Sequence, residues 1–476
     1  MAEGGRDASD RSLIRPSRRA FLKTSAVAGL SYLATGGIAF GRRPFGPPDA
    51  FAQGIAAGVP AAGGDTSVLL WTRATPPPGF PSTTVRWFLT ADQFGEHVVA
   101  RGEVEAVRDR NYVVKVTVAD LEPGRSYWYR MEQVVQGKVR ASTEVGRAAT
   151  LPSEAETSPA LRLAVMSCQN YAHGYFGVHR YLARQRDIDL VVHLGDSIYA
   201  DIADGMIANV IGGYARIDPT PPAVSLDDYR MNYEQYLSDP SWRALRAAHP
   251  HVVIWDDHEF FDGFAGGEQR QDPRVLAARR AFAEYMPVEV PDDLAQGLER
   301  IIPWGSDLRL VLQDARWYAT PNDRWGDRQR ARLGSWDGRR TILLSPVRVD
   351  GARDVLVGRD KRTVIFSGDT HVQGAQEVHD GRRRIAVQYM TGAATSRSAT
   401  TGYEDWPFAS YNTPGAVVAD VSVDGEQVQF LEADVSRSDG RVAVHRVVER
   451  DAYGSLAVGG PTDRVSLLAQ ERGLGG

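Results

Sequence analysis

A single cysteine, Cys168, is all the thiol chemistry this chain carries, so an intrachain disulfide is excluded. Stability outside a reducing compartment then has to come from a buried core, from bound metal or from both. Surplus positive charge is missing as well, the formal net charge being -5. A surface that neutralises nucleic-acid phosphates needs clustered Lys and Arg, and no nucleic-acid-binding surface is expected. Long apolar runs are also absent. The best candidate, Ala26 to Phe40, is broken by Gly, Ser and Thr and is too short for a stable bilayer span, so no transmembrane helix is expected in the mature chain. What remains is the composition of a soluble globular protein of 476 residues, long enough for more than one domain.

Ahead of that mild apolar run, Arg18 and Arg19 stand in the pattern S-R-R-x-F-L-K, from Ser17 to Lys23. This resembles a twin-arginine (Tat) export signal, expected over residues 1–52, with the A-x-A of Ala50, Phe51 and Ala52 as a cleavage site. The resemblance implies the Tat machinery as a partner, a periplasmic or extracellular location, and a protein already folded when it crosses.

Residues 53–150 read as an all-β module. "SVLLWTRA", "TVRWFLTA", "YVVKVTVADL" and "SYWYRMEQVV" are short β-branched and aromatic runs separated by Gly, Pro and Asp, which predicts an immunoglobulin- or fibronectin-like sandwich. The polar "TLPSEAETSP" marks a linker over 151–160. From 161 to 460 strands alternate with helical stretches, the pattern of an α/β layered domain, and a loose tail is expected over 461–476.

Four of these strands end in residues of types that can hold metals. "LRLAVM" runs into Ser167-Cys168, "DLVVHL" into Gly195-Asp196-Ser197-Ile198-Tyr199, "HVVIW" into Asp256-Asp257-His258-Glu259, and "RTVIF" into Ser367-Gly368-Asp369-Thr370-His371. Any one of them alone is a buried cysteine, a turn or an acidic loop. Four strands delivering such residues to the carboxyl edge of one sheet region, where α/β folds gather their ligands, point to a metal site. His193, inside "VVHL", is expected to pack within its strand, and Arg230 in "DDYRMNY" to pair with a neighbouring acid.

The blocks "SCQ", "HLGDSIY", "DYR…HPHVVIWDDHE" and "SGDTH", in this order after a β module, resemble the PhoD-type alkaline phosphatase and phosphodiesterase family, a branch of the calcineurin-like metallophosphoesterases. The resemblance implies an α+β layered metallophosphoesterase sandwich and an exported phosphoester hydrolase. It implies Fe3+ held by Cys168, Asp196, Tyr199 and His371. It further implies Ca2+ completed by Asp369 and by Asp257, which aligns with the family's N-H-E position, or in second place by Asp262, with Asp196 between the ions and His258 as the catalytic side chain facing the phosphoryl oxygens. Paired ions would clamp the phosphoryl group while a metal-activated water attacks in line. A monomer is expected, acting on a phosphoester substrate. Monoester and diester preference both stay open, phospholipid or teichoic acid included, as does a secreted binding or scaffold protein on a degenerate phosphatase fold. Between "LVLQDARWY" and "RTVIFSGDTH" relatives carry a longer stretch, so a missing helix and strand are expected there, around the surviving "SWDG".

Overall fold

The computed structural model describes residues 66–459, apart from 202–215, 217, 219, 321–322, 335–337, 350–361, 397–405, 412 and 452–455. The expected signal over 1–52 and tail over 461–476 lie outside the described residues, as does most of "SWDG".

The N-terminal module comprises β1 (Val68–Arg73), β2 (Ser82–Thr90), β3 (Val98–Val107), β4 (Val113–Val118), β5 (Ser126–Val135), β6 (Lys138–Ser142) and β7 (Gly146–Ala149). One sheet runs β3-β2-β5-β6 with β7 also on β5, and β1 pairs antiparallel with β4 as the second layer. Strand periodicity sends alternate residues to one face. Val85, Leu89, Tyr129 and Met131 of the sheet therefore meet Val68, Leu70, Val114 and Val118 of the pair in one core. The turn "LEPGRSY" closes on itself: the Tyr127 hydroxyl accepts from the Glu122 backbone N–H at 3.0 Å, the tyrosine corner of sandwich modules.

The main body contains β8 (Leu161–Met166), β9 (Leu190–His193), β10 (His251–Val253), β11 (Arg300–Trp304), β12 (Leu308–Leu312), β13 (Arg340–Ser345) and β14 (Thr363–Ser367). It continues with β15 (Val372–Asp380), β16 (Arg383–Thr391), β17 (Phe408–Tyr411), β18 (Gly415–Val421), β19 (Gly425–Ala433), β20 (Val442–Asp451) and β21 (Ala457–Val458). Two seven-stranded sheets result, ordered β10-β9-β8-β18-β19-β20-β21 and β11-β12-β13-β14-β16-β15-β17. Leu161, Leu163 and Val165 of the first face Leu310, Leu344, Phe366 and Tyr389 of the second in a shared core. The intervening residues point outward. Ala164 and Met166 pack under α1 (Gly177–Arg184) through Val178 and Leu182, and on the far side Val311, Leu343 and Ile365 meet Trp325. Each such buried Val, Leu, Ile or Phe contributes about 1.5–3 kcal/mol, so a chain with no disulfide is held by its core.

Local sequence fixes the helices between the strands. In α2 (Leu226–Leu237) Ser225 and Asp228 form a capping box. Both α3 (Pro240–Ala248) and α5 (Pro273–Tyr285) start with proline after a capping aspartate, Asp239 or Asp272; the short α4 (Gly266–Gln269) lies between them in the chain. The stretch "SLDDYRMNYEQYLSDPSWRALRAA" thus holds two helices, broken at Asp239-Pro240. The shortened segment before "RTVIFSGDTH" still carries regular structure. Helix α6 (Gly326–Gly334) and β13 lie in that segment, and β13 sits parallel between β12 and β14. Its "RTILLS" is buried throughout, so a strand buried on both faces survives in the shortened stretch.

The two modules are joined by buried side chains. Trp71 inserts into the main core and donates Nε1 to the Glu284 carbonyl at 2.7 Å. Lys115 Nζ donates to the Val288 carbonyl at 2.6 Å, and Arg73 pairs with Glu234 at 2.9 Å. Arg230 forks onto Glu284 with two bonds of 2.7 Å, so it pairs with an acid as expected. The 151–160 segment is pinned to the turn between β11 and β12, where Ser158 Oγ accepts from Asp307 N at 2.8 Å and Leu308 N at 3.0 Å. His193 is 1 % exposed within β9, and burial pushes its ring down to about 3, so it is a neutral packing residue.

Candidate metal centre

Because β8, β9 and β10 are parallel neighbours, the loops after them emerge at one rim; β14, parallel to its neighbours in the facing sheet, sends its loop to the same place. Backbone bonds stitch the rims together. Cys168 N donates to the Gly195 carbonyl at 3.2 Å, and Ala394 N to the Ser167 carbonyl at 2.8 Å. Cys168, Asp196, Asp369 and His371 all have left-handed backbones, with φ of 56°, 55°, 64° and 54°. Such a conformation costs a non-glycine residue roughly 1–3 kcal/mol and persists only where the surroundings over-determine it. Four instances at three of the four strand ends, after β8, β9 and twice after β14, mark where the fold stores strain.

Gly195 has φ 99°, and a Cβ there would lie 2.5 Å from both Asp256 N and Asp256 Cβ. Gly195→Ala is expected to cost about 2–4 kcal/mol of stability, read as a lower urea midpoint, because neither backbone nor contact can relax cheaply.

Fully buried Glu259 locks two of the loops to each other. One carboxylate oxygen accepts from Ser197 N and Ser197 Oγ, both at 2.7 Å; the other accepts from Asp196 N at 2.9 Å and Asp256 N at 2.8 Å. Helix α2 holds the same loop from behind, its Tyr236 hydroxyl accepting from Tyr199 N at 3.1 Å.

On this frame the donor atoms converge in three overlapping sets, the atoms of each lying within 4.8 Å of one another: Cys168, Asp196 and His371; Asp196, Asp257 and His258; Asp256, Asp257 and Asp369. Tyr199 joins the first set, its hydroxyl 3.2 Å from Asp196 Oδ2 and 3.3 Å from His371 Nε2. Ser396 Oγ donates to that hydroxyl at 2.8 Å. His258 stacks on the Tyr199 ring with centroids 4.2 Å apart, and its Nδ1 meets Asp201 Oδ1 at 2.8 Å. Arg316, in the loop after β12, reaches Asp256 through Nε, Asp369 at 2.9 Å and Asp257 at 3.2 Å.

The structure brings together Cys168, Asp196, Tyr199, Asp257, His258, Asp369 and His371. It does not bring in Asp262. The Asp257 carbonyl accepts from Phe260 N and Phe261 N at 2.8 and 2.7 Å, and this turn buries Phe260 and leaves residue 262 exposed and in none of the sets. Arg316 and Asp201 lie outside the four strand-end segments that point to a metal in the sequence, and Asp256 and Glu259 lie in one of them without a role of their own. Arg316 had a signal: "LVLQDAR" is a fifth strand ending in charged residues at the same rim.

Electrostatics says what the arrangement suits. Burial first, and then the charge of Asp196, pushes the Cys168 thiol and the Tyr199 phenol well above their usual ranges. Burial also pushes Asp196 far up against the pull of His258, with Asp256, Asp257 and Glu259 adding to the rise. For His258, burial pulls down but the neighbouring carboxylates, Asp196 foremost, win and hold it up at about 10. Anionic donors are crowded out of water without enough positive charge, and the Asp256 Oδ2 is buried with no hydrogen-bond partner. Such a site fits cations. The sulfur, phenol, imidazole and carboxylate set suits a transition metal, and the all-carboxylate corner suits a hard divalent ion.

Comparison with known proteins agrees with this geometry. A family model described as "PhoD-like phosphatase" matches residues 163–346, and one described as "PhoD-like phosphatase, N-terminal domain" matches residues 42–152. Alkaline phosphatase D of Bacillus subtilis (strain 168) is 31 % identical over 323 residues, which is 63 % of this chain and 54 % of that protein. The chain thus spans about half the length of this curated relative. A solved structure titled "Structure of PhoD" superposes with a TM-score of 0.77 at 23 % identity, covering 89 % of this chain and 94 % of that one. A purple acid phosphatase from yellow lupin (Lupinus luteus) seeds superposes at 0.53 and 13 % identity, covering 83 % and 73 %.

Proposed function

Since the chain belongs to the PhoD-like phosphatase family, we propose that it is an exported phosphoester hydrolase working with two metal ions. The observation that carries this reading is the overlap of three donor sets on the shared residues Asp196 and Asp257 at one rim of two sheets. Cys168, Asp196, Tyr199 and His371 would hold Fe3+. Asp196, Asp257 and Asp369 would hold Ca2+, with Asp256 beside them. The ions, when bound, supply Lewis acidity that clamps the phosphoryl oxygens and lowers the pKa of a bound water.

The remaining roles belong to the chain. Asp201 engages His258 Nδ1 and leaves Nε2 as the nitrogen available to a phosphoryl oxygen or leaving group, while the Tyr199 ring fixes the imidazole plane. Cys168, Asp196, Tyr199 and Asp257 are buried from bulk water, and His258, Asp369 and His371 are partly exposed. The substrate is a phosphate ester; mono- and diester preference is set by how the rim accommodates a second substituent. Export through the Tat machinery is part of the proposal, supported by Ser17 to Lys23. No helix among the described residues is long and apolar enough to cross a membrane.

The test is metal analysis of protein purified without chelators, combined with turnover of aryl phosphate mono- and diesters. Iron held by thiolate and phenolate should give visible charge-transfer absorption that is lost in Cys168→Ser. Stripping the ions with a chelator is expected to remove roughly 3–4 kcal/mol of stability, the linkage expected when free metal is a hundred to a thousand times its dissociation constant, and to abolish turnover. Full activity in stripped protein would overturn the proposal.

A further inference from the structure

Arg316 comes from the facing sheet, on the loop after β12, and its guanidinium lies against the three carboxylates of the oxygen-only corner. It contacts Asp256, Asp257 and Asp369 and is buried, its side chain 8 % exposed. Its own backbone is held, Arg316 N donating to Asp314 Oδ1 at 3.2 Å and Arg316 O accepting from Gly266 N at 2.8 Å. Three carboxylates against one guanidinium leave two negative charges, the charge of one divalent cation. A planar, permanently charged fork also fixes where the carboxylate oxygens sit, which a flexible ammonium cannot do.

We infer that Arg316 is a built-in counter-cation: it orients Asp256, Asp257 and Asp369 and, by competing electrostatically, limits this corner to one weakly held divalent ion. It is a positioning residue, acting on the metal through the carboxylates. The inference rests on the two-metal reading of the site and goes beyond it. Asp256 is the anchor of this arrangement: it is 1 % exposed, takes Arg316 Nε on Oδ1, and keeps its place by donating its N–H to Glu259. Removing the guanidinium exposes the corner's full charge to any entering cation and also leaves that charge unbalanced when no cation is present.

The experiment compares wild type, Arg316→Met, Arg316→Lys and the double variant Arg316→Met/Asp256→Asn. Thermal melting and equilibrium dialysis are run with Ca2+ from zero to millimolar. Arg316→Met should melt lower than wild type without calcium and recover when it is added, so that its calcium-induced shift exceeds that of wild type. Its apparent Ca2+ dissociation constant should fall about tenfold, since removing a unit charge a few ångströms from a divalent ion matters even at the dielectric constant of water. Arg316→Lys keeps the unit charge and loses the fork, so its Ca2+ dissociation constant should stay near that of wild type while its melting temperature falls below that of wild type with or without calcium. The double variant, with one charge fewer on each side, should regain stability without calcium, and it serves if the single variant does not fold.

A purely structural arginine would give a lower melting temperature that calcium does not restore, and an equal calcium response in Arg316→Met and wild type would overturn the inference. Wild-type protein that binds no divalent ion at all would instead overturn the two-metal reading, so the two failures are distinguishable.

Discussion

Asp196→Asn is expected to abolish turnover of aryl phosphates, a loss of at least about a thousandfold, while leaving the fold intact. Asp196 is the residue common to the sulfur-containing donor set and the His258 set, so both proposed ions lose a charged ligand at once. Metal stabilisation of transition-state charge is worth several kcal/mol, which at roughly 1.4 kcal/mol per decade gives the stated factor. Asparagine has the same shape, and the backbone at this position stays tied to Glu259. Because burial pushes the Asp196 carboxyl upward, neutralising it removes an unfavourable charge when no cation is present. Chelator-treated Asp196→Asn should therefore melt at or above chelator-treated wild type. Turnover and melting thus move in opposite directions, which a general destabilisation cannot mimic. Undiminished kcat/KM would sink the assignment of the site.

The second large effect concerns Glu259, a residue expected to touch neither metal nor substrate. Each of its oxygens accepts two hydrogen bonds, so a glutamine in either orientation must aim its amide at two donors. Glu259→Gln is expected to lose roughly 3–5 kcal/mol, the range for breaking a buried, multiply bonded carboxylate. That corresponds to a melting temperature lower by about 10 °C. Since the donors include the backbones of Asp196 and Asp256, bound metal should fall with stability. Melting curves and metal content of the variant, measured together, check this; a normal melt with full metal content would mean that the two loops hold each other without Glu259.

The strand ends were readable because physics makes them so. A strand buried on both faces is an apolar run, and the point where it turns polar, as at "VVHLGD" or "VIFSGD", is the place where the chain reaches the rim. The pairing of those rims was not readable, because it depends on contacts such as Glu259 to Ser197, 62 residues apart. In sequence, Asp257 takes first place over Asp262 only through the resemblance of "DHE" to the family's motif; the tight turn after Asp257 that leaves Asp262 exposed is made by backbone bonds any sequence can form. Helix α5 carried its signals, Asp272 and Pro273, yet its apolar spacing in "PRVLAARRAFAEY" is interrupted by arginines. Arg279 is nonetheless buried, its guanidinium 4.4 Å from the Trp317 ring centroid. In the shortened segment before β14 the signal of a surviving strand is the buried six-residue run of β13.

The joint between the two modules has a calorimetric consequence. Trp71 belongs to the main core, Lys115 and Arg73 bond to the body, and the 151–160 segment is clasped at Ser158. Neither module can unfold without uncovering apolar surface and stranding polar groups of the other. The chain should therefore melt in a single cooperative transition. A perturbation at the rim then registers in the heat absorbed by the whole molecule, sandwich included.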